Sequence, residues 1–183
     1  MSLLATIRAD FIANKVCGPE ADTPLRFLKH LAWGLTFKPA FACVFWYRIN
    51  RWMYLRKIPG YNLLNARRQY WFSNDITYFA DIGPGLCLVH YADVNITRAK
   101  LGSNIAIMSG VTIGKKLWAP VNITIGNSCY IGTGAKIIGN VTIGKNVIVG
   151  ALALVDCDVP DDSIVYGIPP NRTIKSRTNL NSS

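Results

Sequence analysis

A chain of 183 residues, half of them hydrophobic, is long enough for one sizeable core and too apolar for wholesale disorder. Twenty Lys and Arg against ten Asp and Glu give a formal net charge of +10, which favours anionic partners: phosphorylated small molecules, acidic lipid or nucleic acid. Five cysteines, an odd number with no C-x-x-C pair, argue against a disulfide framework or a zinc site and read as free thiols in a reducing cytoplasm.

In chain order, "MSLLATIRADF" is read as no signal peptide, because Arg8 and Asp10 interrupt the apolar run. The stretch "SLLATIRADFIANKV" predicts a helix with Leu4, Ile7, Phe11 and Ile12 on one side. "TPLRFLKHLAWGL" predicts a second, with Thr23 as N-cap, Pro24 at the first helical position and His30 on its surface. "KPAFACVFWYRINRWMYLRK" is a third, bounded by Pro39 and by Ile58-Pro59-Gly60, and "NLLNARRQYWF" a candidate fourth. The longest apolar run, Ala40 to Tyr47, is shorter than the roughly 20 residues a bilayer span needs. From Thr23 to Asn74 there is no acidic residue and there are nine basic ones. Residues 1–74 thus form a helical, basic, aromatic-rich unit. Its aromatics are expected to be mostly core. Its cations suit a solvated face, a trimer contact, or peripheral attachment to the inner face of the cell membrane.

From about residue 76 the period changes. Large aliphatics recur every six residues from Ile76, Ile82, Leu88 and Val94 to Val155, with one extra residue after Val94 and a twelve-residue step from Ile113 to Ile125. A second apolar set runs four residues behind, from Ala80 to Val159. Glycine directly follows the aliphatic at Gly83, Gly102, Gly114, Gly126, Gly132, Gly144 and Gly150, which calls for an unusual backbone angle or tight packing. A period of six fits neither helix nor strand and is the signature of a parallel β-helix, whose coils stack about 4.8 Å apart. Residues 75–175 are therefore a β-helix with a carboxy-terminal cap, and 176–183 a tail. Residues 115–124 fit either two in-phase hexads or one hexad with an extruded loop. In this phase His90, third in the hexad Leu88–Asp93, points outward, and Asp75 lies just outside the inward set.

The residues Asp75-Ile76, Ile82-Gly83-Pro84-Gly85 and His90 resemble the serine acetyltransferase pattern of Asp-Ile-His-Pro, Ile-Gly-x-Gly and Asp-His. The fifteen-residue step from Asp75 to His90 matches without a gap. "SGVTIG" (109–114), "IGTGAKIIGNVTIG" (131–144), "YGIPPNR" (166–172), "IRADFIA" (7–13) and "KPAFACVFWYRINRWMY" (38–54) carry the resemblance over most of the chain. It implies a mainly β, left-handed parallel β-helix of hexapeptide repeats behind a small α-helical amino-terminal domain. It also implies a homotrimer with acetyl-CoA in the groove between neighbouring β-helices, and metal-free acetyl transfer to a hydroxyl. His90 would be the general base and Asp75 would orient it. A backbone N–H near Gly110 or Gly114 would meet the oxyanion. By family position Thr133, Ala151 and Arg172 would contact CoA, joined by Gly114 and, for its charge beside a polyphosphate, Lys136. Cys157 stands where related sugar acetyltransferases often have lysine.

Departures from the pattern concern the acceptor. The Asp-Arg-His-Pro loop is replaced by "GKKLWAPVNITIG" (114–126), the Asp before the histidine is Val89, and the following Gly-Glu is replaced within "NITRAK" (95–100). The chain is accordingly expected to stand closer to the short relatives that acetylate sugars in surface-polysaccharide synthesis, such as the colanic acid acetyltransferases, with Trp118 stacked on a sugar ring. The expected activity is direct transfer, in a ternary complex, from acetyl-CoA to a hydroxyl of a sugar or polysaccharide precursor. The alternative is serine O-acetylation for cysteine synthesis. A zinc carbonic anhydrase on this scaffold needs three histidines, and the chain has two. An inert scaffold is the remaining competitor, and no motif supports nucleic-acid binding.

Overall fold

Helix α1 (Leu3–Ala13) starts at Ser2, whose hydroxyl accepts from the N–H of Ala5, and α2 (Pro24–Phe37) starts at Thr23, which accepts from Arg26 in the same way. Helices α3 (Pro39–Leu55) and α4 (Tyr61–Phe72) follow, separated by Gly60 at φ 96°. These elements belong to a computed structural model that describes residues 2–15, 23–114 and 122–177. The buried side of α1 is Ile7, Asp10 and Phe11; Leu4 and Ile12, expected on that side, are exposed. The inner face is rotated because Asp10 is needed inside. Phe11 packs on Phe27 and Phe41, with ring centroids 5.7 and 4.9 Å apart. Phe41 and Tyr47 are fully buried, but Trp33, Phe37, Tyr70 and Trp71 are exposed, so the aromatics are core less often than expected. No helix among the described residues is long and apolar enough to cross a membrane.

The rest is a three-faced prism of short parallel strands. The first face stacks β1 (Asp75–Ile76), β4 (Asn95–Ile96), β7 (Thr112–Gly114), β10 (Lys136–Ile138) and β13 (Leu154–Val155). The second stacks β2 (Asp81–Ile82), β5 (Ala99–Leu101), β8 (Asn122–Ile125) and β11 (Asn140–Ile143). The third stacks β3 (Cys87–Leu88), β6 (Ala106–Ile107), β9 (Tyr130–Ile131), β12 (Ile148–Val149) and β14 (Ser163–Tyr166); β15 (Thr173–Ser176) closes it antiparallel to β14. Each face contributes an inward aliphatic ladder, such as Ile76, Ile96, Ile113, Ile137 and Val155 on the first, and all five are fully buried.

The register corrects the periodic reading at one place. Ile76 pairs with Ile96, so Ile96 and not Val94 holds the ladder slot. Eight residues run from Leu88 to Ile96 and five from Ile96 to Leu101; two extra and one missing leave the single extra residue that spacing detects. The twelve residues from Ile113 to Ile125 serve one step, because β8 pairs directly with β5 and β11. Residues 115–121, Ala119 among them, lie outside the described residues. The glycines after the ladder residues answer to packing. Gly83, Gly102, Gly126 and Gly132 do not have positive φ, and a Cβ on any of them would meet backbone of the next coil.

The helices dock on the first coil through polar side chains. Arg48 binds the Asp10 carboxylate at 2.8 and 3.0 Å and donates to the carbonyls of Ile82 and Gly83. Asp10 accepts in turn from the N–H groups of Gly85 and Leu86, both at 2.9 Å. Tyr47 donates to the Ala80 carbonyl, Arg51 to that of Tyr78, Asn14 to that of Leu86, and Arg68 to that of Ile76. Three cations of the basic segment, Arg48, Arg51 and Arg68, thus point into the protein and not toward anionic partners. Burial pushes the Arg68 guanidinium below its ordinary value, and its Nε finds no hydrogen-bond partner.

Candidate active site

His90 lies on the corner where the third face turns into the next first face. Two residues past each lower third-face ladder residue, that corner carries Ser109, Thr133, Ala151 and Gly167 in a column; above Ser109 the Gly110 N–H donates to the Ala92 carbonyl, so Ala92 continues the column and His90 stands on the wider turn beside its top. In the lower coils three steps lead from the ladder residue to a left-handed residue: Ile107 to Gly110, Ile131 to Gly134, Val149 to Leu152. In the first coil five steps lead from Leu88 to Asp93. The two extra residues of the register therefore widen the very turn that bears His90, which is exposed.

The widened turn borders a cavity of about 550 Å³. Its wall is Cys87 to Ala92 on one side and, from the helices, Ala13 to Lys15 and Lys38 to Phe41 on the other. Burial pushes the Cys87 thiol up, while the charge of Lys15 pulls it down. Behind the turn, the side-chain amide of Asn74 donates to the Tyr91 carbonyl at 3.3 Å, and Arg68 holds the Asn74 oxygen at 2.7 Å.

The expected site residues separate into three groups. Thr133 and Ala151 are exposed and stack on successive coils, with the N–H of Leu152 donating to the Thr133 carbonyl at 2.8 Å. Lys136 pairs in register with Leu154, and Arg172 reaches the Leu154 carbonyl at 3.5 Å, so both stand on the first face beside that column. Lys136 donates to the Gly110 carbonyl and to Thr112 Oγ1 at 2.8 and 2.9 Å, and Arg172 is paired with Asp156. His90 belongs to the coil two above that of Thr133, displaced from the column by the widened turn. Asp75 is not joined to His90. Its carboxylate accepts from Gln69 of α4, and its strand pairs with Asn95, just beyond the widened turn. Gly114 also stands apart. It is buried at the far end of β7 with Thr97 Oγ1 packed over it, whereas Gly110 belongs to the His90 corner and donates its N–H to the Ala92 carbonyl at 3.2 Å. Cys17 and Trp118 lie outside the described residues; Cys43, Cys87, Cys129 and Cys157 are free thiols. The sequence reading missed Lys15 and Lys38, which line the cavity from two distant segments and share no spacing signal with His90.

Residues 122–157 match the family model "Bacterial transferase hexapeptide (six repeats)", which makes this prism a hexapeptide-repeat transferase scaffold. Serine acetyltransferase of Mycobacterium tuberculosis is 30% identical over 180 residues, covering 91% of this chain and 72% of that one. That of Synechococcus elongatus is 34% identical over 135 residues, 72% of this chain and 55% of its own length. The crystal structure of Neisseria gonorrhoeae serine acetyltransferase superposes with a TM-score of 0.79 at 30% identity, covering 95% of this chain and 67% of that one. The chain belongs to the serine acetyltransferase family of hexapeptide-repeat acyltransferases. Its prism is the left-handed parallel β-helix of that family. The chain spans about half the length of the curated relatives matched first.

These relatives overturn the expected sugar or polysaccharide acceptor. They are named for serine, and the Neisseria structure has also been solved in complex with serine. The similarity runs through the helical unit as well as the prism, so a few altered positions around Val89 and residues 114–126 were too narrow a basis for another acceptor class. Peripheral membrane contact has no support either: three of the cations that suggested it are turned inward.

Proposed function

We propose that the chain is an acetyl-CoA-dependent O-acetyltransferase whose acceptor is the hydroxyl of L-serine, the reading first held as the alternative. The observation that carries it is the exposed His90 on a widened corner, opening on a cavity beside the top of the Thr133–Ala151 column. CoA would run down that column, with Lys136 and Arg172 beside its phosphates and a neighbouring copy of the chain forming the other wall. The working unit would then be a homotrimer in the cytoplasm.

In the reaction the neutral His90 imidazole takes the serine hydroxyl proton as the oxygen attacks the thioester carbonyl carbon. The tetrahedral oxyanion would form against a backbone N–H of the corner; that of Gly110 would first have to leave the Ala92 carbonyl. Collapse breaks the carbon–sulfur bond, and the imidazolium returns the proton to the CoA thiolate. Asp75 would orient and stabilise the imidazolium after exchanging Gln69 for the ring N–H.

The test is release of free CoA thiol by the purified chain given acetyl-CoA and L-serine, with O-acetylserine identified by mass. Turnover is expected, and His90→Asn should lower kcat by roughly 10²- to 10⁴-fold without lowering the thermal midpoint. A folded chain that leaves serine unacetylated would overturn the acceptor. Undiminished turnover by His90→Asn would overturn the base.

A further inference from the structure

The cavity beside His90 has a one-sided charge. Its described lining includes two lysines, Lys15 and Lys38, and no carboxylate. They approach from two helix ends. Lys15 follows α1 in a left-handed conformation, φ 52°, and its charge is felt by the Cys87 thiol on the opposite wall. Lys38 is half-buried directly before Pro39, with its Nζ 5.4 Å from the centre of the Trp33 ring, a cation–π contact that limits where the ammonium can go. Val89, which is 46% exposed, Ala40 and Ala92 add only apolar wall. A zwitterionic acceptor entering here finds partners for its carboxylate. Among the described lining residues its ammonium finds like charge and no anion.

We propose that Lys15 and Lys38 are the carboxylate-binding subsite of the acceptor, so that the enzyme selects its hydroxyl substrate by the anionic group. The proposal rests on the acetyltransferase reading above and narrows its substrate class. Ion pairs at the mouth of a low-dielectric cavity are stronger than on an open surface, and the lysines' flexible stems can follow the carboxylate to wherever His90 needs the hydroxyl.

The experiment compares L-serine with 3-hydroxypropanoate, which lacks only the amine, and with ethanolamine, which lacks only the carboxylate. 3-Hydroxypropanoate, which keeps the carboxylate, should be acetylated, and ethanolamine should be roughly tenfold or more worse than serine, the size of one lost charge-assisted hydrogen bond. The double variant Lys15→Gln/Lys38→Gln should raise KM for both acids by roughly ten- to a hundredfold, with the loss falling on KM and not on kcat, and Lys38→Arg should restore part of it. Equal use of ethanolamine and serine, or an unchanged KM in the double variant, would overturn the subsite while leaving the serine reading intact. Refusal of serine with use of 3-hydroxypropanoate would overturn the serine reading and support the subsite. Should no acceptor turn over, malonate binding followed by the NMR signal of the His90 ring decides. The chain has only two histidines, so His30→Gln assigns it. A saturable shift that the double variant loses supports the subsite, and no shift in the wild type overturns it.

Discussion

Tyr47 has no exposed surface, and its hydroxyl donates to the Ala80 carbonyl at 2.8 Å. Burial, the first cause, pushes its pKa up to about 12 from an ordinary 10.0. The unfolded chain would release that proton near pH 10 and the folded chain only near 12. The folded state therefore binds more protons across this window, and stability falls as pH rises through it, by about 2–3 kcal/mol at the end. Tyr47→Phe should cost about 1 kcal/mol at neutral pH, for the carbonyl left without its donor, yet flatten the decline between pH 10 and 12. Urea midpoints of both proteins at pH 8, 10 and 11 check this; parallel declines would refute it. Residues differ in how far the sequence discloses them. His90's outward direction follows from a two-residue offset within the hexad. Arg48, Arg51 and Arg68 look like surface charge because a charge count cannot see backbone carbonyls waiting for donors. Lys15 and Lys38 meet at His90 only once three separate segments have folded together.

At the scale of strands and corners, the period of six discloses the ladders because each inward slot demands an aliphatic side chain. Corners are less legible. A gain of two residues before Val94 and a loss of one after Ile96 nearly cancel, so spacing alone puts the irregularity in the wrong place. Gly126 tests how tightly the coils close. A Cβ there would lie 2.6 Å from the backbone of Gly144 and Lys145, which belong to a paired strand end and cannot swing aside. At Gly150 the nearest atom is the Tyr166 side-chain Cβ at 3.0 Å. Gly126→Ala should therefore destabilise by about 1–3 kcal/mol, and Gly150→Ala by clearly less. Thermal midpoints measured side by side decide, and equal losses would mean that the stacking distance is not the constraint.

For the whole molecule, the charge distribution is divided by fold and not by sequence. Part of the basic segment fastens helices to the first coil, and Lys136 and Arg172 stand along the column proposed for CoA. A site with a wall on one side only needs a neighbour, so sedimentation equilibrium should give three copies of the 20.2 kDa chain. A monomer that is fully active would remove the shared groove from the proposal.

The two ends of the prism have a consequence of their own. On the first coil the carbonyls of Ile76, Tyr78, Ala80, Ile82, Gly83 and Leu86 are all occupied by helical side chains, and at the other end β15 runs antiparallel across β14. A bare coil is a template on which any further coil, including one from another molecule, can polymerise. The docked helices and the reversed last strand are therefore chain terminators, and a prism stripped of them would grow end to end into a filament.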